Sequence, residues 1–252
     1  MTDTVFQQID VEECQMPHAS PEIRMYGTTL EGHPVLVHVH GFLPYFFVHA
    51  PRGFTHSACN DFKNALNTTF GGSSIADVKL VSKKNLMQYT GPENIAFIRI
   101  TVADLRLFGR VRGSFERGEI AFRDLFVPGE PLVSFDHVAY TLRFMIDYDI
   151  VGMNWISIRS GHYTVREPNA CIARCQIELD CRPDAIVSHP SQGEWLKMAP
   201  LRILSFDIEC AGRKGVFPDP SIDPVIQIAN MVTRQGESTP FVKNIFTLGS
   251  CS

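Results

Sequence analysis

The sequence predicts an α+β fold, α/β in the broad sense, organised in two parts. Three observations carry this. Strand-like runs crowd both ends of the chain, two helical patterns lie between them, and a stretch at 188–200 rich in Pro, Gly and Ser sets off the last strands.

The first twenty residues are weakly patterned and are expected to be a disordered or frayed lead-in. Residues 22–27 and 34–40 read as strands around Leu30-Glu31-Gly32, a hairpin turn signal. The aromatic stretch Phe42, Tyr45, Phe46, Phe47 follows. Residues 61–67 suit a short helix, and 75–82 and 95–100 suit strands. Over 101–117, Val102, Leu105, Phe108, Val111 and Phe115 keep helical spacing. Gly109 and Gly113 oppose that helix by about 1 kcal/mol each. A second helix is expected over 136–147, with Val138, Leu142 and Met145 on one face, and 171–184 alternates like a strand. Residues 188–200 read as a linker, from His189-Pro190-Ser191-Gln192-Gly193 to Ala199-Pro200. Beyond it, 201–210, 225–233 and 241–248 read as strands of a mixed or antiparallel sheet, with 212–223 as a loop.

Composition excludes several classes. Hydrophobic residues make up 44% of the 252 and charged residues 20%, too apolar for disorder throughout. The formal charge is −4, so a globally basic nucleic-acid coat is absent, although a local cluster or a bound metal can do the same work. Seven cysteines at irregular spacing fit a reducing compartment better than a disulfide framework. There is no run of 18 apolar residues to span a membrane, and the N-terminus is not a targeting sequence.

The sharpest chemical feature is Ser205-Phe206-Asp207-Ile208-Glu209-Cys210. In a strand, residues two apart point the same way, so Ser205, Asp207 and Glu209 share one face and Leu204, Phe206 and Ile208 the other. Two carboxylates side by side, at the end of what is expected to be a buried strand, repel unless a cation neutralises them. Hard divalent cations such as Mg²⁺ take oxygen ligands, and two of them roughly 3.5–4 Å apart can drive phosphodiester hydrolysis. An exposed Asp-x-Glu on an edge strand is the plain alternative. Asp147-Tyr148-Asp149 has the same spacing but ends a helical pattern, and reads as a helix terminus.

Other candidates each have a plainer reading. Cys171, Cys175 and Cys181 with His189 lack the spacing of paired zinc ligands and read as ordinary cysteines. His38 and His40 share a strand face with no third ligand near them. Arg106, Arg110 and Arg117 line one side of a helix, as a phosphate-binding or a solvated face. Phe42, Tyr45, Phe46 and Phe47 are base-stacking aromatics or core.

At this point the residues resemble a known family. The run Leu201-Arg202-Ile203-Leu204-Ser205-Phe206-Asp207-Ile208-Glu209-Cys210 with its continuation Ala211-Gly212-Arg213-Lys214-Gly215-Val216-Phe217-Pro218 resembles the first exonuclease motif of family B DNA polymerases, in particular the delta-type branch. Asp223-Pro224-Val225-Ile226-Gln227-Ile228 continues the match. Upstream, Gly41-Phe42-Leu43-Pro44-Tyr45-Phe46-Phe47-Val48 and the run from Arg143 to Trp155 are similar to the family's N-terminal domain. The resemblance extends from about Phe6 to Cys251.

The resemblance implies a polymerase N-terminal domain at 21–199, with an OB-like β portion that helps cradle template DNA. It implies the first strands of a ribonuclease-H-like 3′–5′ exonuclease domain at 200–252. Asp207 and Glu209 would be the catalytic, metal-binding carboxylates of a two-metal Mg²⁺ site, Glu209 also orienting the attacking water. Implied partners are DNA, as template and primer 3′ end, other polymerase subunits and a sliding clamp, in the nucleus. The family's later exonuclease carboxylates, polymerase motifs and cysteine clusters do not occur in the 45 residues after Asp207. The chain is therefore expected to be the N-terminal piece of a replicative polymerase and inactive by itself. The alternative is a non-catalytic module that binds single-stranded nucleic acid or a polymerase subunit.

Overall fold

Alternation of apolar and polar residues produces strands along most of the chain, and these sort into three sheets. The computed structural model describes residues 2–17, 19–84 and 94–250. The last two residues of the expected 200–252 segment lie outside them. The elements begin with β1 (Thr4–Cys14), β2 (Glu22–Thr28), β3 (Pro34–His40), β4 (Tyr45–His49), α1 (Ala58–Phe70), β5 (Ile75–Lys83), β6 (Ile95–Val102), α2 (Leu105–Glu116), β7 (Ser134–Phe135) and α3 (Tyr140–Asp147). They continue with β8 (Trp155–Ile158), β9 (Tyr163–Val165), β10 (Ile177–Cys181), β11 (Ile186–His189), β12 (Arg202–Cys210), β13 (Val225–Arg234) and β14 (Val242–Thr247).

The first sheet has seven strands in the order β11-β8-β1-β2-β3-β10-β9. β1, β2 and β3 form an antiparallel meander, and β10 lies parallel to β3. The sheet is therefore mixed, with one parallel pairing in it. Its core holds Phe6, Ile23, Met25, Val35, Val37 and Val39, covered by Tyr140 and Phe144 of α3. Gly27 permits the close approach of β1, because a Cβ there would lie 2.3 Å from the Phe6 ring.

The second sheet has the order β5-β6-β4-β7. Its chain path is β4-α1-β5-β6-α2-β7, the split βαβ arrangement, with both helices on one face. Phe46, Val48, Ile98 and Ile100 meet Phe62 and Leu66 of α1 and Val111 and Phe115 of α2. Burying each such side chain contributes roughly 1.5–3 kcal/mol. Asp104 caps α2 by accepting the Arg106 N–H at 2.8 Å. The third sheet is β12-β13-β14, antiparallel throughout, and none of its residues belongs to either core.

Four expectations need correction. The lead-in is not frayed: residues 4–14 form β1, whose buried Gln7 bonds the Met153 carbonyl at 3.0 Å and the Ala199 N–H at 2.7 Å. Polar residues at buried positions hid its strand pattern. The stretch at 188–200 is docked rather than loose. His189 stacks on Trp195 at 3.8 Å, and the Lys197 carbonyl accepts the Trp155 indole N–H at 2.8 Å. The second helix starts only at Tyr140, and it buries Tyr140 and Phe144 while Leu142 is exposed. In the 171–184 run only Ile177–Cys181 is strand, because a 3₁₀ turn at Pro183–Ala185 ends it.

Candidate metal centre

β12 is an edge strand, paired on one side with β13. Register places Asp207 opposite Ala229, Glu209 opposite Gln227 and Ser205 opposite Met231, so both carboxylates stand on one face, as the spacing predicts. A register shift follows between Glu209 and Cys210. The expected burial of this strand is not found. Residues 202–209 are exposed, Phe206 at 66%, because no second layer of the described residues covers the Leu204, Phe206 and Ile208 face.

Asp207 Oδ1 accepts its neighbour's Ile208 N–H at 2.9 Å, leaving its second oxygen open. Asp219 and Asp223 do not join the pair. The buried Asp223 carboxylate accepts the Asp219 N–H at 2.8 Å and pairs with the Arg213 guanidinium at 3.2 Å, closing the 212–223 loop on itself. Hydrogen bonds from Ser221 hold the Asp219 carboxyl below the usual range. Among the described residues no group of three or more His, Cys, Asp or Glu side chains is placed to hold a metal. The donor set at β12 is thus two hard carboxylates open to water. That set fits a divalent cation that keeps most of its waters, and Asp207 and Glu209 are the residues that would hold it.

The remaining candidates take other roles. Asp147 ends α3, accepts the Tyr45 hydroxyl at 2.7 Å and pairs with Arg143 at 3.0 Å. Cys181 is buried, which pushes its thiol up to about 12. Arg106 and Arg117 pair with Asp104 and Glu119, each two residues away. The aromatic stretch divides: Phe42 and Phe46 enter the two cores, while Tyr45 and Phe47 alternate onto the opposite face of the second sheet.

One cluster was not legible from sequence. His38, fully buried, lies 3.3 Å from Glu22 through Nδ1 and 2.9 Å from Glu178 through Nε2. His40 reaches Asp180 at 2.6 Å, and the Arg166 guanidinium grips Asp180 through two nitrogens at 2.7 Å. Glu178 also accepts the N–H groups of Ile172 and Ala173. Burial pushes these carboxyls up. For Glu178, the N–H of Ile172 and the His38 ring outweigh that and hold it below the usual range. Arg24 and His38 do the same for Glu22, and Arg166 and His40 for Asp180. His38 and Glu178 are 140 residues apart, joined only by the parallel β3–β10 pairing. No local signal could have announced it.

Comparison with known proteins places the acidic pair in context. A family model for the exonuclease domain of family B DNA polymerases matches residues 133–252. The DNA polymerase delta catalytic subunit of Schizosaccharomyces pombe is 49% identical over 99% of this chain and 23% of its own length. That of Drosophila melanogaster is 42% identical over 98% and 24%, and that of Bos taurus 37% over 100% and 24%. The chain spans about a quarter of the length of these curated relatives. Among solved structures, the family B DNA polymerase of the hyperthermophilic archaeon Pyrobaculum calidifontis is similar at a TM-score of 0.66. That likeness covers 97% of this chain and 26% of the other at 20% identity, and shows a shared fold. No described helix is long and apolar enough to cross a membrane. The chain belongs to the family B DNA polymerases, and Asp207 and Glu209 lie within the segment that matches the family's exonuclease domain.

Proposed function

We infer that this chain carries the first carboxylates of a 3′–5′ proofreading exonuclease within a replicative DNA polymerase. The observation that carries the reading is the pair Asp207 and Glu209, co-facial on β12 and inside the 133–252 exonuclease match. Residues 21–199, with β1 added, would form the N-terminal domain against template DNA, and 200–252 the start of the nuclease. The relatives are DNA polymerase delta catalytic subunits, which supports a nuclear setting, a primer 3′ end as substrate, and other polymerase subunits and a sliding clamp as partners.

Bound Mg²⁺ would neutralise the two carboxylates and lower the pKa of a bound water. Asp207 would serve as a ligand to the metal. Glu209 would also help orient the attacking water. Two carboxylates alone bind metal weakly, so the 252-residue chain is inactive in isolation. Incubation with 5′-labelled single-stranded DNA and Mg²⁺ or Mn²⁺ is expected to leave the DNA intact. Mn²⁺ binding, followed by electron paramagnetic resonance, is expected to be weak and lost in the Asp207→Ala/Glu209→Ala double variant. Digestion abolished by Asp207→Ala would overturn the inactivity, and unchanged Mn²⁺ binding in the double variant would overturn the metal assignment.

A second reading, a non-catalytic module for single-stranded nucleic acid or a polymerase subunit, is favoured by a different surface. That surface is the open face of the second sheet, with aromatic residues on β4, β6 and β7 and lysines on β5.

A further inference from the structure

We propose that the helix-free face of the β5-β6-β4-β7 sheet is a binding site for single-stranded nucleic acid, stacking a base against Phe135 and receiving its phosphates on Lys83 and Lys84. The inference does not depend on Asp207 and Glu209, which belong to another sheet.

The path β4-α1-β5-β6-α2-β7 puts both helices on one side, so alternate residues of each strand point to the other. Register fixes which ones. Phe47 lies opposite both Arg99 and Phe135, and His49 opposite Phe97. Lys79 lies opposite Arg99, and Lys83 ends the neighbouring strand. One sheet face therefore collects aromatic rings from β4, β6 and β7 and cations from β5 and β6. The core on the helix side does not need them.

The two ends of this face differ. At the Tyr45 end, α3 covers it: the Tyr45 hydroxyl bonds Asp147, and Arg143 lies over the Tyr45 ring at 5.5 Å. At the other end a cavity of about 420 Å³ opens, lined by Phe47, Phe97, Phe135, Lys83, Lys84 and His137 among others. Its wall is a continuous set of rings. Phe97 meets Phe135 edge-on at 5.4 Å, and His49 stacks on Phe97 at 4.6 Å. Phe47 and Phe97 are buried within that wall, and half-buried Phe135 is the accessible ring at its rim.

The cations sit at the same rim. Lys83 Nζ lies 4.2 Å above the Phe47 ring and 3.9 Å from Asp136. Lys84 pairs with no carboxylate among the described residues. An apolar aromatic wall bordered by ammonium groups matches a ligand with a flat π-face joined to an anion, which is the chemistry of a nucleotide in a single strand. Four-stranded sheets that stack splayed-out bases on strand aromatics use the same layout. With a chain charge of −4, attraction for a polyanion must come from such a local cluster.

The test is fluorescence anisotropy of labelled oligothymidylate and oligouridylate against the full 252-residue chain at low salt. Binding is expected for at least one of the two. Equal affinity identifies a backbone-and-stacking site open to either, and tighter oligouridylate binding identifies a site that also reads the 2′-hydroxyl. Lys83→Glu/Lys84→Glu is expected to weaken binding more than tenfold and to reduce the slope of log K against log salt by about 1–2. Phe135→Ala is expected to cost about tenfold with the slope unchanged. Asp207→Ala/Glu209→Ala is expected to bind as the unmodified chain does, which separates this site from the metal reading. Circular dichroism checks that each variant is folded. Failure of the unmodified chain to bind either strand, or wild-type binding by the folded lysine and Phe135 variants, overturns the proposal.

Discussion

Phe46 and Phe206 are the same residue type on paired strands of the same molecule, and their surroundings are opposite. Phe46 on β4 is fully buried against Phe108 and Phe115 of α2, whereas Phe206 on β12 is 66% exposed. Both strands pair with a neighbour along most of their length. The difference is the second layer. Alternation and backbone pairing suffice to define a strand, but the hydrophobic gain requires another element against the apolar face. The first two sheets find that layer within this chain. Among the described residues Leu204, Phe206 and Ile208 do not, and a three-stranded sheet with open faces and two free edges is marginal in water.

Substitutions can break this contrast. Phe46→Ala or Phe115→Ala is expected to lower the unfolding free energy by about 3–5 kcal/mol, whereas Phe206→Ala should change it by no more than about 0.5 kcal/mol. Urea titration of the three variants decides, and a large loss from Phe206→Ala would show that the third sheet is as well packed as the others. Next in size is Glu178→Gln, expected to cost about 3 kcal/mol because it leaves His38 and Arg166 facing a neutral amide. The same titration measures it.

Asp223→Ala is expected to be weaker, about 1–2 kcal/mol, and confined to the third sheet, since it frees Arg213 and the Asp219 N–H. Limited proteolysis reads this directly. Cuts should fall first between 201 and 250, faster in the variant, while a fragment of β1 to β11 persists. First cuts within β1 to β11 would reverse the comparison.

The smallest effect is with pH. Glu22, Glu178 and Asp180 have folded-state carboxyls held below their usual range. Their stabilisation is complete above the unfolded value of about 4 and is lost as pH falls through the lower folded values. The melting temperature should therefore be insensitive to these groups from about pH 5 to 8 and fall below about pH 4.

Much of the fold was readable where the cause is local. The strands around Leu30-Glu31-Gly32 and the three strands after Pro200 follow from alternation and turn residues alone, and the acidic pair follows from spacing on β12. β1 was not readable, because buried Gln7 and Gln8 read as surface, and the side-chain partners of Gln7 come from residues 146 and more positions away. The face of α3 was misjudged because helical phase depends on where the helix starts, and that is Tyr140. Nor did sequence show which face of the second sheet the helices leave bare. Phe46 and Phe47 look alike in a row of aromatics, and only the strand fixes which one enters the core.

The path of the chain also sets an order of events. β4 to β7 are inserted between β3 and the strands that complete the first sheet, so the inserted unit closes entirely within residues 45–135. The host sheet cannot close until β8 to β11 exist, because β3 must wait for β10 and β1 for β8. On a growing chain the inserted βαββαβ unit can therefore assemble first while the β1–β3 meander is held open beside it. The long loop closure that brings β10 to β3 then makes the first sheet the slow step, although its opening strands are made first.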